Sequence, residues 1–120
     1  MKKIKAIIKE PNEKVGHMTT IDTSLENLQQ IVGGYIQILN GPSLFIICNE
    51  EGKLRGLPEN FTLLRLIDKC SFYDVIRGTV IVTGVDKGDL ADIPYDLEWW
   101  KRQLKVWGNT DVTDINVGKM

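Results

Sequence analysis

The chain holds one histidine, two cysteines and no surplus of either charge, and each scarcity removes a class of chemistry. A single histidine, His17, cannot build a His-based metal cluster or an H-E-x-x-H zinc motif. Zinc would have to draw on two distant cysteines, that histidine and carboxylates, so no metal or other cofactor is expected. Cys48 and Cys70 lie in the stretches Ile-Ile-Cys and Lys-Cys-Ser-Phe. That setting reads as free buried thiols of a reducing compartment, and as structural residues rather than partners of His17 in a nucleophile pair. Fifteen Lys and Arg stand against sixteen Asp and Glu, a net charge of −1. A DNA binder would show a basic excess and a DNA mimic an acidic one. The N-terminal K-K-I-K reads as solvated charge at a strand edge. No stretch approaches the roughly 18 apolar residues of a membrane span, and the apolar run near the N-terminus is too short for a signal peptide. The expectation is a cytoplasmic protein. Neither G-x-x-x-x-G-K-[ST] nor G-x-G-x-x-G occurs, and Val85–Asp89 lacks the glutamate that a calcium loop needs, so it reads as a loop.

What is present is a chain of 120 residues with 42% apolar content, enough for one core. We read residues 1–108 as a single α+β domain and 109–120 as a polar C-terminal tail. Ile4, Ala6 and Ile8 alternate with Lys3, Lys5 and Lys9, which predicts a strand with one wet face ending at Pro11. Val15 to Ile21 is its antiparallel return. Thr23-Ser-Leu-Glu26 reads as a capping box with Thr23 as the cap, followed by a short helix through Leu25, Leu28, Ile31 and Val32. Gly33 or Gly34 stops that helix. Tyr35–Leu39 is a strand, Asn40-Gly41-Pro42 a turn, and the unbroken run Leu44–Cys48 a central strand covered on both faces. Asn49–Gly52 turns the chain, Lys53–Gly56 forms at most a short strand, and Leu57–Lys69 reads as irregular or weakly helical. Phe72–Val85 is rich in β-formers and interrupted at Gly78, and Asp86–Asp92 is a polar loop. The last helix starts near Pro94–Asp96 and runs to about Trp107, before Gly108-Asn109. The expected fold is α+β: an antiparallel or mixed sheet of about five or six short strands, one short internal helix and one C-terminal helix.

Two sets of residues stand out as candidate sites. Asn49, Lys53, Arg55, Asn60, Arg65, Tyr73 and Arg77 follow the turns that could gather them into a cleft. Cations for phosphate, amides for a base edge and a ring for stacking suit a nucleotide-like ligand. A solvated hairpin tip explains Glu50, Glu51, Lys53 and Arg55 equally simply. The second set is Trp99, Trp100 and Trp107 on the last helix. Leu97, Trp100, Leu104 and Trp107 make one stripe, a core pattern, but three tryptophans exceed what one stripe needs, and exposed tryptophan is enriched at interfaces. The adjacent carboxylates Glu50 and Glu51 point apart on a turn and give little basis for acid–base catalysis.

The ordered motifs K-A-I-I-K-E-P, L-E-N-L-Q-Q-I-V-G-G-Y-I, I-C-N-E-E-G-K-L-R-G-L-P-E-N and Y-D-V-I-R-G-T-V-I-V span about residues 4–85. Together they resemble a family of domains of unknown function frequent in phages and conjugative elements of Gram-positive bacteria. Family members usually read L-P-x-N-R, whereas Phe61 follows Asn60 here and the next arginine is Arg65. The tryptophan-rich last helix also departs from the family's shorter, more acidic end. The resemblance implies an accessory protein of a mobile element. The leading expectation is a non-enzymatic anti-defence protein, a sponge that binds and sequesters a small nucleotide-derived signal. The alternative is a protein–protein interaction module, an inhibitor or adaptor of a host protein docking through the tryptophan helix. In either case a homo-oligomer is expected, with no nucleic-acid or membrane partner.

Overall fold

The computed structural model describes residues 2–41, 43–67 and 70–109, without the side chains of residues 65–67 and 72. The elements in chain order are β1 (Lys3–Lys9), β2 (His17–Asp22), α1 (Leu25–Val32), β3 (Ile36–Gly41), β4 (Leu44–Asn49), β5 (Glu59–Ile67), β6 (Cys70–Arg77), β7 (Val80–Asp86), β8 (Asp89–Ala91) and α2 (Leu97–Val106). The fold is α+β. A six-stranded antiparallel sheet runs β2-β1-β7-β4-β3, with β8 paired to β7 off that path, and β5 and β6 form a separate two-stranded sheet.

The main sheet is covered on both faces, which the sequence signals in β4 and β7. Both are nearly unbroken apolar runs, as strands buried on two sides must be. On one face Ile4, Ala6, Ile21, Ile47 and Ile81 receive Leu28 and Val32 of α1. On the other, Ile7, Leu39, Leu44, Ile46 and Val82 receive Phe61, Leu63 and Ile76 of the β5–β6 hairpin and Trp100, Leu104 and Trp107 of α2.

That second layer corrects the reading of β1. The Ile7–Lys9 end of its supposedly wet face is covered by the hairpin and α2, so Ile7 is fully buried and Lys9 is 3% exposed, while Lys3 and Lys5 stay exposed as expected. The adjacent pair Ile7-Ile8 was the available sign, because consecutive apolar residues on a strand face opposite ways. The stretch Leu57–Lys69 is also corrected, since most of it is β5. Phe61 and Leu63 alternate with Asn60 and Thr62, and β6 supplies the hydrogen-bonding partner. Lys53–Gly56 forms no strand and is part of the turn after β4. The polar stretch Asp86–Asp92 is a tight hairpin: Asp86 pairs with Asp89, and Lys87 and Gly88 take φ of 52° and 80°. Positive φ at both central residues is the backbone that a two-residue β-hairpin turn requires. Asn40 and Gly41 belong to β3 rather than to the turn that follows it.

The helix ends follow capping chemistry. Ser24, not Thr23, caps α1, its hydroxyl oxygen accepting the Asn27 N–H at 3.2 Å, while Thr23 donates to the Lys2 carbonyl. Gly33 closes α1 at φ 81°, a conformation glycine adopts without penalty. Asp96 caps α2 through the Trp99 N–H at 2.8 Å. Asn109, the first residue of the expected tail, is anchored. Its amide accepts the Thr62 N–H and donates to the Thr62 carbonyl, both at 2.9 Å, as a neighbouring strand would. Residues 110–120 lie outside the described residues.

Candidate functional site

Two clefts flank the β5–β6 hairpin, and the nucleotide-like set divides between them. The larger, about 360 Å³, opens where the β1–β2 loop meets the start of β5 and the end of α2, and is lined by Lys9, Asn12, Glu13, Lys14, Asn60 and Asn109 among others. Lys9 lies at its base because it shares the face of β1 that carries Ile7. Its ammonium donates to the Asn60 Oδ1 at 2.6 Å, the Glu13 carbonyl at 2.7 Å and the Asn60 carbonyl at 3.3 Å. The ammonium also stands 5.9 Å from the Phe61 ring centroid, within cation–π range. Asn60 in turn donates to the Lys9 and Gly78 carbonyls, both at 2.7 Å. One amide thus ties β1, β5 and the β6–β7 break together.

The rim of this cleft is charged. Burial pushes the Glu13 carboxyl up, but the Glu10 N–H, the His17 hydrogen bond at 2.9 Å and the charges of His17 and Lys9 outweigh it and hold the group below its ordinary range. Lys14 is exposed, and among the described residues it makes no ion pair. Counting Lys9, Glu13 and Lys14, the lining carries one net positive charge.

The second cleft, about 200 Å³, lies between the β3–β4 edge, the turn after β4 and β6. It gathers Asn49, Lys53 and Arg77, each already engaged. Lys53 pairs with Asp74 at 3.3 Å. Arg77 donates to the Leu57 carbonyl at 3.1 Å and reaches Glu59 at 3.4 Å. Asn49, 4% exposed, donates to the Val32 carbonyl and accepts the Glu51 N–H. Arg55 completes the same knot by donating to the Gly33 carbonyl at 2.8 Å. Asn49 and Arg55 therefore satisfy carbonyls at the end of α1, where positive charge is also favoured by the helix dipole. Gly34 leaves them room, since a Cβ there would stand 2.9 Å from the Asn49 amide and 3.1 Å from the Arg55 guanidinium.

Tyr73 is 69% exposed on the face of β6 opposite Asp74 and lines neither cleft. The side chain of Arg65 lies outside the described residues. Trp100 and Trp107 are core residues, 0% and 3% exposed. Trp100 makes edge contacts with Phe61 and Trp107 and donates its indole N–H to the Val15 carbonyl at 2.8 Å. Only Trp99 of the three shows part of its ring to solvent, stacked on Tyr95 at 3.8 Å. Cys48 is buried as expected, whereas Cys70 is exposed at the start of β6.

Sequence reasoning missed Lys9, Glu13, Lys14 and Asn109. The Ile7-Ile8 pair could have placed Lys9 inside, but nothing in local pattern brings the β1–β2 loop to the end of α2. Among the described residues no group of three or more His, Cys, Asp or Glu is placed to hold a metal, and no helix is long and apolar enough to cross a membrane. No curated protein and no solved structure matches the chain. The chain belongs to the family described as "Domain of unknown function (DUF3846)", which matches residues 4–105.

Proposed function

We propose that this DUF3846 domain is a non-enzymatic binding protein for a small anionic, nucleotide-derived molecule, seated in the larger cleft over Lys9 and Lys14. The observation that carries this reading is the pairing of volume with charge. At about 360 Å³ the cleft falls within the roughly 300–1,000 Å³ of small-molecule sites, whereas the second cleft does not. It also has the net positive lining that the Lys53–Asp74 and Arg77–Glu59 pairs deny the other. Lys9, committed to three oxygens, contributes a fixed positive charge from a water-poor floor. Lys14 and Asn12 on the rim are the groups that would touch phosphate and base. A binding rather than a catalytic role is favoured because Lys9, the buried titratable group here, and the half-buried Glu13 are both tied into the fold.

The motif resemblance to proteins of phages and conjugative elements supports a wider reading, a sponge that removes a host defence signal. Isothermal titration against cyclic dinucleotides, ADP-ribose and linear nucleotides tests it. We expect one ligand per chain, recovered unchanged, and at least a tenfold loss of affinity in Lys14→Glu. Ligand turnover, or no binding to any of these, refutes it.

One observation favours a protein partner instead. Trp99 and Val106 lie seven residues apart on one face of α2, and Val106 is 70% exposed. If α2 docks a host protein, Trp99→Ala with Val106→Glu abolishes co-purification of that protein and leaves the circular dichroism spectrum unchanged.

A further inference from the structure

The main sheet ends at β3 in a strand without the usual protection against edge pairing. Natural edges are blunted by lysine, proline, bulges or covering elements. From Asn27 to Asn49 the chain carries no charged residue, and β3 pairs with β4 in unbroken register from Ile36 to Gly41. The opposite edge, β2, carries His17, hydrogen-bonded to Glu13, and ends at Asp22. The Glu50 N–H donates to the Tyr35 carbonyl at 2.8 Å, which fixes the phase of the ladder. Odd-numbered residues of β3 turn their backbone groups towards β4, so Ile36, Ile38 and Asn40 turn theirs outward. Around this edge Ile38 is 46%, Tyr35 65% and Leu54 88% exposed.

We propose that β3 pairs antiparallel with β3 of a second copy of this chain, about a twofold axis at Ile38. That register places Ile38 against Ile38 and Ile36 against Asn40, so each outward N–H and C=O meets a partner, about six hydrogen bonds in all. A second copy fits better than a charged peptide because the edge itself is uncharged. The twofold also sets the charged turn of one copy, Glu50 to Arg55, beside the uncharged Asn40–Gly41 end of the other copy's β3, so no like charges meet there. The sheet then continues across the dimer and Ile38 is covered. A six-residue strand buries less than the roughly 1,600 Å² of a standard stable interface, so a concentration-dependent dimer is expected.

Sedimentation velocity from low to high micromolar protein tests the pairing, with hydrogen exchange at the Ile36, Ile38 and Asn40 amides. We expect a shift from monomer to dimer and protection of those three amides that rises with concentration. Ile38→Lys, and independently Asn40→Lys in case the first disturbs folding, give a folded monomer, while Met18→Lys on the β2 edge leaves the dimer intact. A monomer at every concentration, a dimer that survives both lysines, or β3 amides protected only by a different protein would overturn the proposal.

Discussion

Asn60→Ala is the substitution through which the stapling of the hairpin to the sheet is best measured. The side chain makes three hydrogen bonds: two to carbonyls, from Lys9 and Gly78, at 2.7 Å, and one from the Lys9 ammonium at 2.6 Å. A neutral bond contributes about 1 kcal/mol and one to a charged group about 1.5–3 kcal/mol. Truncation also leaves the Lys9 ammonium, on a residue 3% exposed, with fewer acceptors. Together these imply a loss of roughly 4 kcal/mol, a large share of the 5–15 kcal/mol that typical domains possess. Urea unfolding followed by tryptophan fluorescence reads it directly, since Trp100 and Trp107 pack against Phe61, the residue after Asn60. With a slope of about 1.5 kcal/mol per molar, the midpoint falls by more than 2 M. The double variant Lys9→Met with Asn60→Leu supplies the control. Replacing both partners by apolar groups of similar shape removes the stranded charge, so the pair costs clearly less than the sum of the single changes. A loss under about 1 kcal/mol in Asn60→Ala, or strict additivity in the cycle, would refute the account.

Other expectations follow from the same packing. Trp100→Ala removes a fully buried ring and its bond to Val15, costing about 3–5 kcal/mol by denaturation, whereas Trp99→Ala costs under about 1.5 kcal/mol. Gly84→Ala drives a Cβ into the Asp92 backbone, so the β7–β8 hairpin loses its protected amides in hydrogen exchange. Because the Glu13 carboxyl titrates below its unfolded value, the unfolded chain takes up that proton more readily. Its contribution is therefore full above the unfolded pKa, about 4.3, and disappears as pH falls through the lower folded value. Acid unfolding of Glu13→Gln should show a shallower dependence over that window than the parent; identical profiles would contradict the assignment.

The fold class, β4, the break at Gly78 and the limits of α2 were legible in the sequence because each rests on local chemistry. A run such as Leu44–Cys48 has no polar face to expose, and Asp96 and Gly108 bracket α2 whatever surrounds it. β5 was less legible, since the alternation of Asn60–Leu63 breaks at Leu63-Leu64 and the strand exists through its pairing with β6. The candidate site was legible only in composition. The turn residues do gather Asn49, Lys53 and Arg77, but Arg55 goes to the end of α1, Asn60 to the other cleft and Tyr73 to the outer face of β6.

The sequence by itself determined which segments can be strand or helix, where they stop and which carry apolar faces, because propensity, capping and periodicity act over a few residues. Tertiary structure alone decided that Lys9 lies buried beneath Asn60, that two tryptophans belong to the core, and that β3 is left as an uncharged edge. Those outcomes depend on which distant surfaces meet, and residues some fifty positions apart, such as Lys9 and Asn60, bear no local mark of their partner.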